Sequence, residues 1–174
     1  MRHHRRVVFF RGTVMAEREI ILVRHAHAEP AAAGQEDLAR VLTARGEAEA
    51  DAAGAWLKRH AAAPVRVLCS PAARAKETCE RVLQAIGYAD VRSDPRIYEA
   101  TPATLIRVLD EHADANPLMI VGHNPGFESL VALLTEGASD SGRGIPPAGV
   151  VWLGVPAEAA MDPGTAQVHH FWWP

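Results

Sequence analysis

Cysteine is scarce in this chain: Cys69 and Cys79 are the two thiols in 174 residues. Two cysteines make neither a disulfide framework nor a cysteine metal cage. With no export signal, they fit a reducing cytoplasm. Long apolar runs are absent too, and nothing approaches the roughly 20 residues of a membrane span. The run Val7 to Phe10 is too short for a signal-peptide core and is interrupted by Arg11. The arginines around it lack the serines of a transit peptide. A basic surplus is missing as well. The formal net charge is −3, which argues against nucleic acid as a partner. Internal repeats and linkers are not found, so the chain reads as one domain.

What charge there is lies unevenly. Residues 1–18 carry Arg2, Arg5, Arg6, Arg11 and Arg18 against Glu17 alone, which leaves about −7 on the remainder. This segment is expected to be a disordered basic extension, with Met15 as the favoured start, and residues 19–174 form the folded domain. Hydrophobic residues make up 48% and charged residues 22%, as in a soluble globular protein with a sizeable core.

The order of elements gives the fold class. Residues 19–24 (EIILVR) read as a strand, followed by a polar loop over 26–41. Thr43 is an N-cap for a helix with Ala48, Ala52, Ala55 and Trp56 on one face. A second strand runs to Cys69. Ser70-Pro71 then has the look of an N-cap and first helical residue, for a helix running to about Ile86 and stopped by Gly87. A weak strand near residues 89–92, a helix opened by Thr101-Pro102, a strand over residues 118–122 and a helix capped by Asn124-Pro125 follow. Two last strands, 150–155 and 167–173, are joined by a Pro/Gly turn and are expected to be antiparallel. Strands alternating with helices predict a single α/β domain: a mostly parallel sheet, helices on both faces and an antiparallel C-terminal edge.

Ligands of open α/β sheets bind beyond the carboxyl ends of the strands. Arg24-His25 and His123 stand at two such ends, and Ser70 and Arg74 at the helix start after a third. If the strands bearing His25 and His123 are neighbours, two histidines and two arginines meet where helix N-termini already favour anions. Neutral imidazole can attack phosphorus, which makes His25 a candidate nucleophile. Arg24 and Arg74 can clamp phosphoryl oxygens with planar forks, and His123 can stabilise charge in the transition state. Phosphoryl transfer rests on positioning and electrostatics, so these side chains call for no metal and no cofactor. A histidine at a strand end or an S-P-x-x-R alone is more often structural. It is their joint occurrence that points to a site.

Arg24-His25-Ala26, Ser70-Pro71-Ala72-Ala73-Arg74 and Gly122-His123-Asn124-Pro125 together resemble the histidine phosphatase (phosphoglycerate mutase-like) superfamily. That family carries an R-H-G motif, a helical arginine and a G-H-x motif. The short chain and the segment Leu42-Thr43-Ala44-Arg45-Gly46 are similar to the SixA-type phosphohistidine phosphatases. The resemblance covers about residues 19–174. One departure is Ala26 in place of glycine, which matters only if that residue needs a positive φ or touches phosphate. The resemblance implies a phosphohistidine enzyme intermediate on His25, and it places Glu99 where the family has a proton donor. A solvated loop glutamate is an equal reading. It also suggests Arg40 as a third guanidinium, for which a surface arginine is the competing reading; Ser70 and Asn124, at the strand-to-helix junctions, are further candidate substrate contacts. His27 could edge the pocket. His169 and His170 are neighbours on one strand and point to opposite faces, which argues against a shared metal site.

Substrate size is limited by spacing. Only 23 residues separate Glu99 from His123, and one helix and one strand use nearly all of them. No roof fits there, so an open site for a phosphohistidine on a protein surface is expected, in a cytoplasmic monomer. The alternatives are a phosphatase of small phosphate esters, which needs a better acid and a deeper pocket, and a non-catalytic module that binds phosphoprotein. A mutase needs enclosure and ranks lower.

Overall fold

The computed structural model describes residues 7–10, 13–87, 89–140 and 142–174. The strands are β1 (Val7–Phe10), β2 (Thr13–Arg24), β3 (Arg66–Cys69), β4 (Asp90–Ser93), β5 (Leu118–Gly122), β6 (Val150–Pro156) and β7 (Gln167–Trp172). The helices are α1 (Ala44–Arg59), α2 (Ala73–Ile86), α3 (Pro102–Glu111) and α4 (Gly126–Glu136). The sheet order is β4-β3-β5-β2-β6-β7, with β1 paired to β2 outside this path. β4, β3, β5 and β2 run parallel, and β6 and β7 add antiparallel at one edge. This is the expected α/β architecture.

Side chains alternate across each strand and so divide the core in two. Ile21, Val23, Val67, Met119 and Val121 pack with Ala50, Ala53, Leu57 and Val82 of α1 and α2. Ile20, Leu22, Leu68, Leu118 and Ile120 pack with Leu105, Leu109, Phe127 and Leu130 of α3 and α4. Strands apolar on both sides need cover on both sides, and the helices supply it. Among the described residues no helix is long and apolar enough to cross a membrane.

Several local expectations are revised. The segment 1–18 is partly strand: β1 pairs with Thr13–Ala16, and β2 begins at Thr13 rather than Glu19. Val7 to Phe10 is a β-branched and aromatic run, which suits a strand better than disorder. Residues 1–6 and 11–12 lie outside the described residues. Ser70 is not the cap of α2, which starts at Ala73 behind Ala72; its hydroxyl accepts from the Ala72 N–H at 3.3 Å. Likewise Pro125, not Asn124, precedes the first residue of α4. Thr43 does cap α1, accepting from Gly46 N at 2.9 Å, and Gly87 ends α2 with φ +96°. Both cysteines are buried free thiols.

Candidate active site

Strand register brings the key residues together. β5 lies between β2 and β3, with Arg24 opposite Gly122 and Cys69 opposite Val121. His25 N donates to Gly122 O at 2.9 Å and Ser70 N to Val121 O at 3.1 Å. The chain therefore leaves three adjacent parallel strands at one level, and His25, Ser70 and His123 follow at once. The His25 and His123 rings lie 5.1 Å apart between centroids. They open into a cleft of about 510 Å³ that Arg74, Glu99, Asn124 and Asp37 also line.

The tautomer of His25 is set by its backbone. Its Nδ1 lies 2.8 Å from Ala26 O, and a carbonyl can only accept, so Nδ1 carries the proton and Nε2 keeps its lone pair. Burial pushes the His25 pKa from 6.5 down to about 4; the cations Arg74, Arg24 and Arg40 add to this, and the Ala26 bond opposes it. His123 is pushed down to about 3, first by burial, then by His25 and Arg74, with Asp37 opposing. Ser70, fully buried, holds His123 Nε2 at 2.7 Å. Ser70 Oγ accepts from Ala72 N and keeps a second lone pair, so its bond to Nε2 suits either tautomer of His123; with the hydroxyl proton on Nε2, the Nδ1 proton of His123 is a donor. Ser70, expected at the substrate, thus stands behind His123.

The arginines are fixed by backbone oxygens. Arg24 Nη1 donates to Ile145 O at 2.7 Å, and Arg74 Nη1 to Asp37 O at 2.8 Å. Arg24 Nε, Arg74 Nε and His123 Nδ1 are buried and have no partner among the described residues. Orphaned buried donors on this scale call for an acceptor, and a phosphoryl group supplies three oxygens. Arg24 does not line the cleft, and neither does Arg40. Arg40 Nε donates to Glu29 O at 2.7 Å and its Nη1 to Asp37 Oδ1 at 2.9 Å.

Asn124 lines the cleft, with Nδ2 bonded to Glu128 Oε1 at 2.5 Å and to Ile145 O at 2.9 Å. Two acceptors fix the amide orientation, and its Oδ1 is left without a partner among the described residues. Glu99 is exposed on the cleft wall with φ +54°, a region that few residues other than glycine occupy. Strained backbone of this kind clusters at functional sites. Ala26 has no positive φ, is fully buried and accepts no role in the cleft wall; its N–H donates to Thr78 Oγ1 at 3.1 Å. Alanine is therefore accommodated there. His27 turns to Glu49, with Nδ1 at 2.7 and 2.8 Å from the two carboxylate oxygens. His169 bonds Glu17, while His170 packs among Trp56, Trp152 and His60. Among the described residues, no three His, Cys, Asp or Glu side chains are grouped to hold a metal ion.

Three contributors escaped the sequence reading. Asp37 carries the one signal that was available, an acid three residues before Arg40. Tyr98 is next to Glu99, but nothing local marks it. Glu128 is four residues beyond Asn124 and binds both Asn124 Nδ2 and Ile145 N, the latter at 2.9 Å.

Sequence and structure comparisons give the family and the fold. The family model of the Histidine phosphatase superfamily (branch 1) matches residues 20–105. SixA of Agrobacterium tumefaciens superposes with a TM-score of 0.78 at 26% identity, over 90% of this chain and 98% of that one. SixA of Nakamurella multipartitia gives 0.78 at 27% identity, over 91% and 97%. The uncharacterized protein Rv1276c of Mycobacterium tuberculosis is 34% identical over 151 residues, 79% of this chain and 91% of its own. The chain belongs to the histidine phosphatase superfamily, and its architecture is of the SixA type.

Proposed function

We propose that this phosphatase removes the phosphoryl group from phosphohistidine in a protein, through a covalent intermediate on His25 and without a metal. The observation that carries this reading is the His25–His123 pair, 5.1 Å apart and flanked by Arg24 and Arg74. His25 Nε2 attacks phosphorus, a P–N bond to His25 forms, and the P–N bond to the substrate imidazole breaks. The departing imidazole takes a proton at the freed nitrogen. Water then attacks the same phosphorus, inorganic phosphate leaves, and His25 regains its lone pair. The low proton affinity of His25 serves both steps: it stays unprotonated at neutral pH, and it is a good leaving group in the second.

Arg24, Arg74 and the Nδ1 proton of His123 contact the phosphoryl oxygens, and Glu99 is the proton donor on the cleft wall. Asn124 presents an acceptor, Oδ1, which a phosphoryl dianion cannot use but an imidazole N–H can. The second reading, small phosphate esters, is favoured by Glu99 lining the cleft, since an alkoxide needs an acid. The test is turnover of a phosphohistidine protein against a panel of small esters, with rapid quench and mapping of the adduct. A higher kcat/KM on phosphohistidine and a label on His25 are expected. A preference for esters, or a label elsewhere, overturns the reading.

A further inference from the structure

The helical arginine of the site does not stand alone. Arg74 is 6% exposed, yet its side chain reaches the loop 26–41 and meets Asp37, in the short 3-10 turn Asp37–Ala39. Nη1 donates to the main-chain oxygen of Asp37 at 2.8 Å and Nη2 to its Oδ2 at 2.9 Å. A guanidinium has two forked edges. One is made by the terminal hydrogens of Nη1 and Nη2, the other by Nε–H and the second hydrogen of Nη2. Asp37 grips the terminal edge. The lateral edge is left with a buried Nε that has no partner among the described residues.

Asp37 is itself held. Tyr98 Oη donates to its Oδ2 at 2.6 Å and Arg40 Nη1 to its Oδ1 at 2.9 Å, while Arg40 Nε is tied to Glu29 O. These donors, Tyr98 first, keep the Asp37 carboxyl ionised well below the usual carboxylate range. The result is a braced line from Glu29 through Arg40 and Asp37 to Arg74, with Tyr98 as a second brace.

We propose that Asp37 is the positioning residue of the phosphoryl-binding arginine: it holds the terminal edge of Arg74 so that the lateral edge, Nε–H and Nη2–H, meets the phosphoryl group, and Tyr98 and Arg40 act through Asp37. This rests on the phosphatase reading above for what the oxyanion is. A free arginine side chain loses rotamer entropy when it is ordered. Ordering it before substrate arrives moves that loss out of the binding step. An Asp37 that imitated the phosphoryl group would take the lateral edge, and it does not.

The experiment measures tungstate binding by calorimetry, and kcat and KM where turnover is found, for wild type, Asp37→Ala, Asp37→Asn and Tyr98→Phe. Asparagine keeps an acceptor for Nη2 and for the Tyr98 hydroxyl. We expect Asp37→Ala to weaken tungstate binding and lower kcat/KM by about 100-fold, the scale of a misplaced binding group, and Asp37→Asn to stay within about fivefold of wild type. Tyr98→Phe should fall between them with an unchanged melting temperature. Tungstate binding in Asp37→Ala as tight as in wild type, or tighter, overturns the proposal, because the carboxylate would then compete with the anion. Loss in Asp37→Asn equal to that in Asp37→Ala overturns it too, since charge and not the hydrogen bond would matter. Tungstate binding needs no turnover, so failure of the phosphohistidine reading shows separately, as a wild type that binds the oxyanion and leaves phosphohistidine intact.

Discussion

His25 and His123 sit in a site that resists their protonation, and acid should reveal it in two ways. With a substrate that does not titrate in the range, kcat/KM should hold as pH falls below 6.5 and drop only near pH 4, where His25 takes up its proton. An acid limb near 6.5 would show that burial does not control the nucleophile. Stability carries the same signature. The folded pKa values, about 4 and about 3, lie below the unfolded 6.5, so the unfolded chain gains protons first. The contribution is complete above pH 6.5 and is lost as pH falls toward 4 and 3. Melting temperature against pH should therefore slope less in His123→Gln than in wild type over that window. Glu99→Gln tests the proton donor. On an ester the rate should fall about 100-fold or more, because the alkoxide leaves unprotonated. On phosphohistidine the loss should be about tenfold or less, since an imidazole of pKa about 6.5 departs readily. Both are read as kcat/KM on one preparation, so folding defects cancel.

Helix placement decides whether these residues meet. α1 comes so close to the loop after His25 that a Cβ on Gly46 would lie 2.0 Å from His27 O, an oxygen that also accepts from Thr43 N. The glycine of L-T-x-x-G is thus a contact between a helix and the backbone beyond the nucleophile. Gly46→Ala should destabilise the protein by about 1–3 kcal/mol, as overpacking does, visible as a lowered melting temperature. An unchanged value would mean that α1 can slide without cost. The start of α2 works differently. Ser70 lies ahead of it and joins Ala72 N to His123 Nε2, so that one hydroxyl ties the end of β3 to the end of β5.

For the molecule as a whole, the N-terminal arm is peripheral to the core sheet. β2 meets β6 from Glu17 onward and β5 from Ile20 onward, while residues 13–16 pair with β1. Removing residues 1–12 should leave the melting temperature within about 2–4 °C of the full chain, the shift that accompanies about 1 kcal/mol in a protein near this size. A larger fall would show that the arm belongs to the folded unit. The short connection from Glu99 to His123 contains only α3 and β5 as regular elements, and it leaves the cleft to be bounded by loops, among them the one that carries Asp37.

The residue pattern by itself determined the alternation of strands and helices, the two-sided core, the strand ends that bear His25 and His123, and the caps at Thr43 and Thr101. These follow from local periodicity, turn chemistry and motif spacing, all of which act over a few residues. Tertiary structure decided which side chains hold those residues in place. Ser70 reaches His123 across 53 positions, Asp37 reaches Arg74 across 37, and Tyr98 reaches Asp37 across 61. It also turned Arg40 toward Asp37 and Glu29, and turned the Asn124 amide so that an acceptor is left over. Such bonds depend on where loops cross the sheet edge and on the direction of single polar atoms. Neither has a period that a sequence can display.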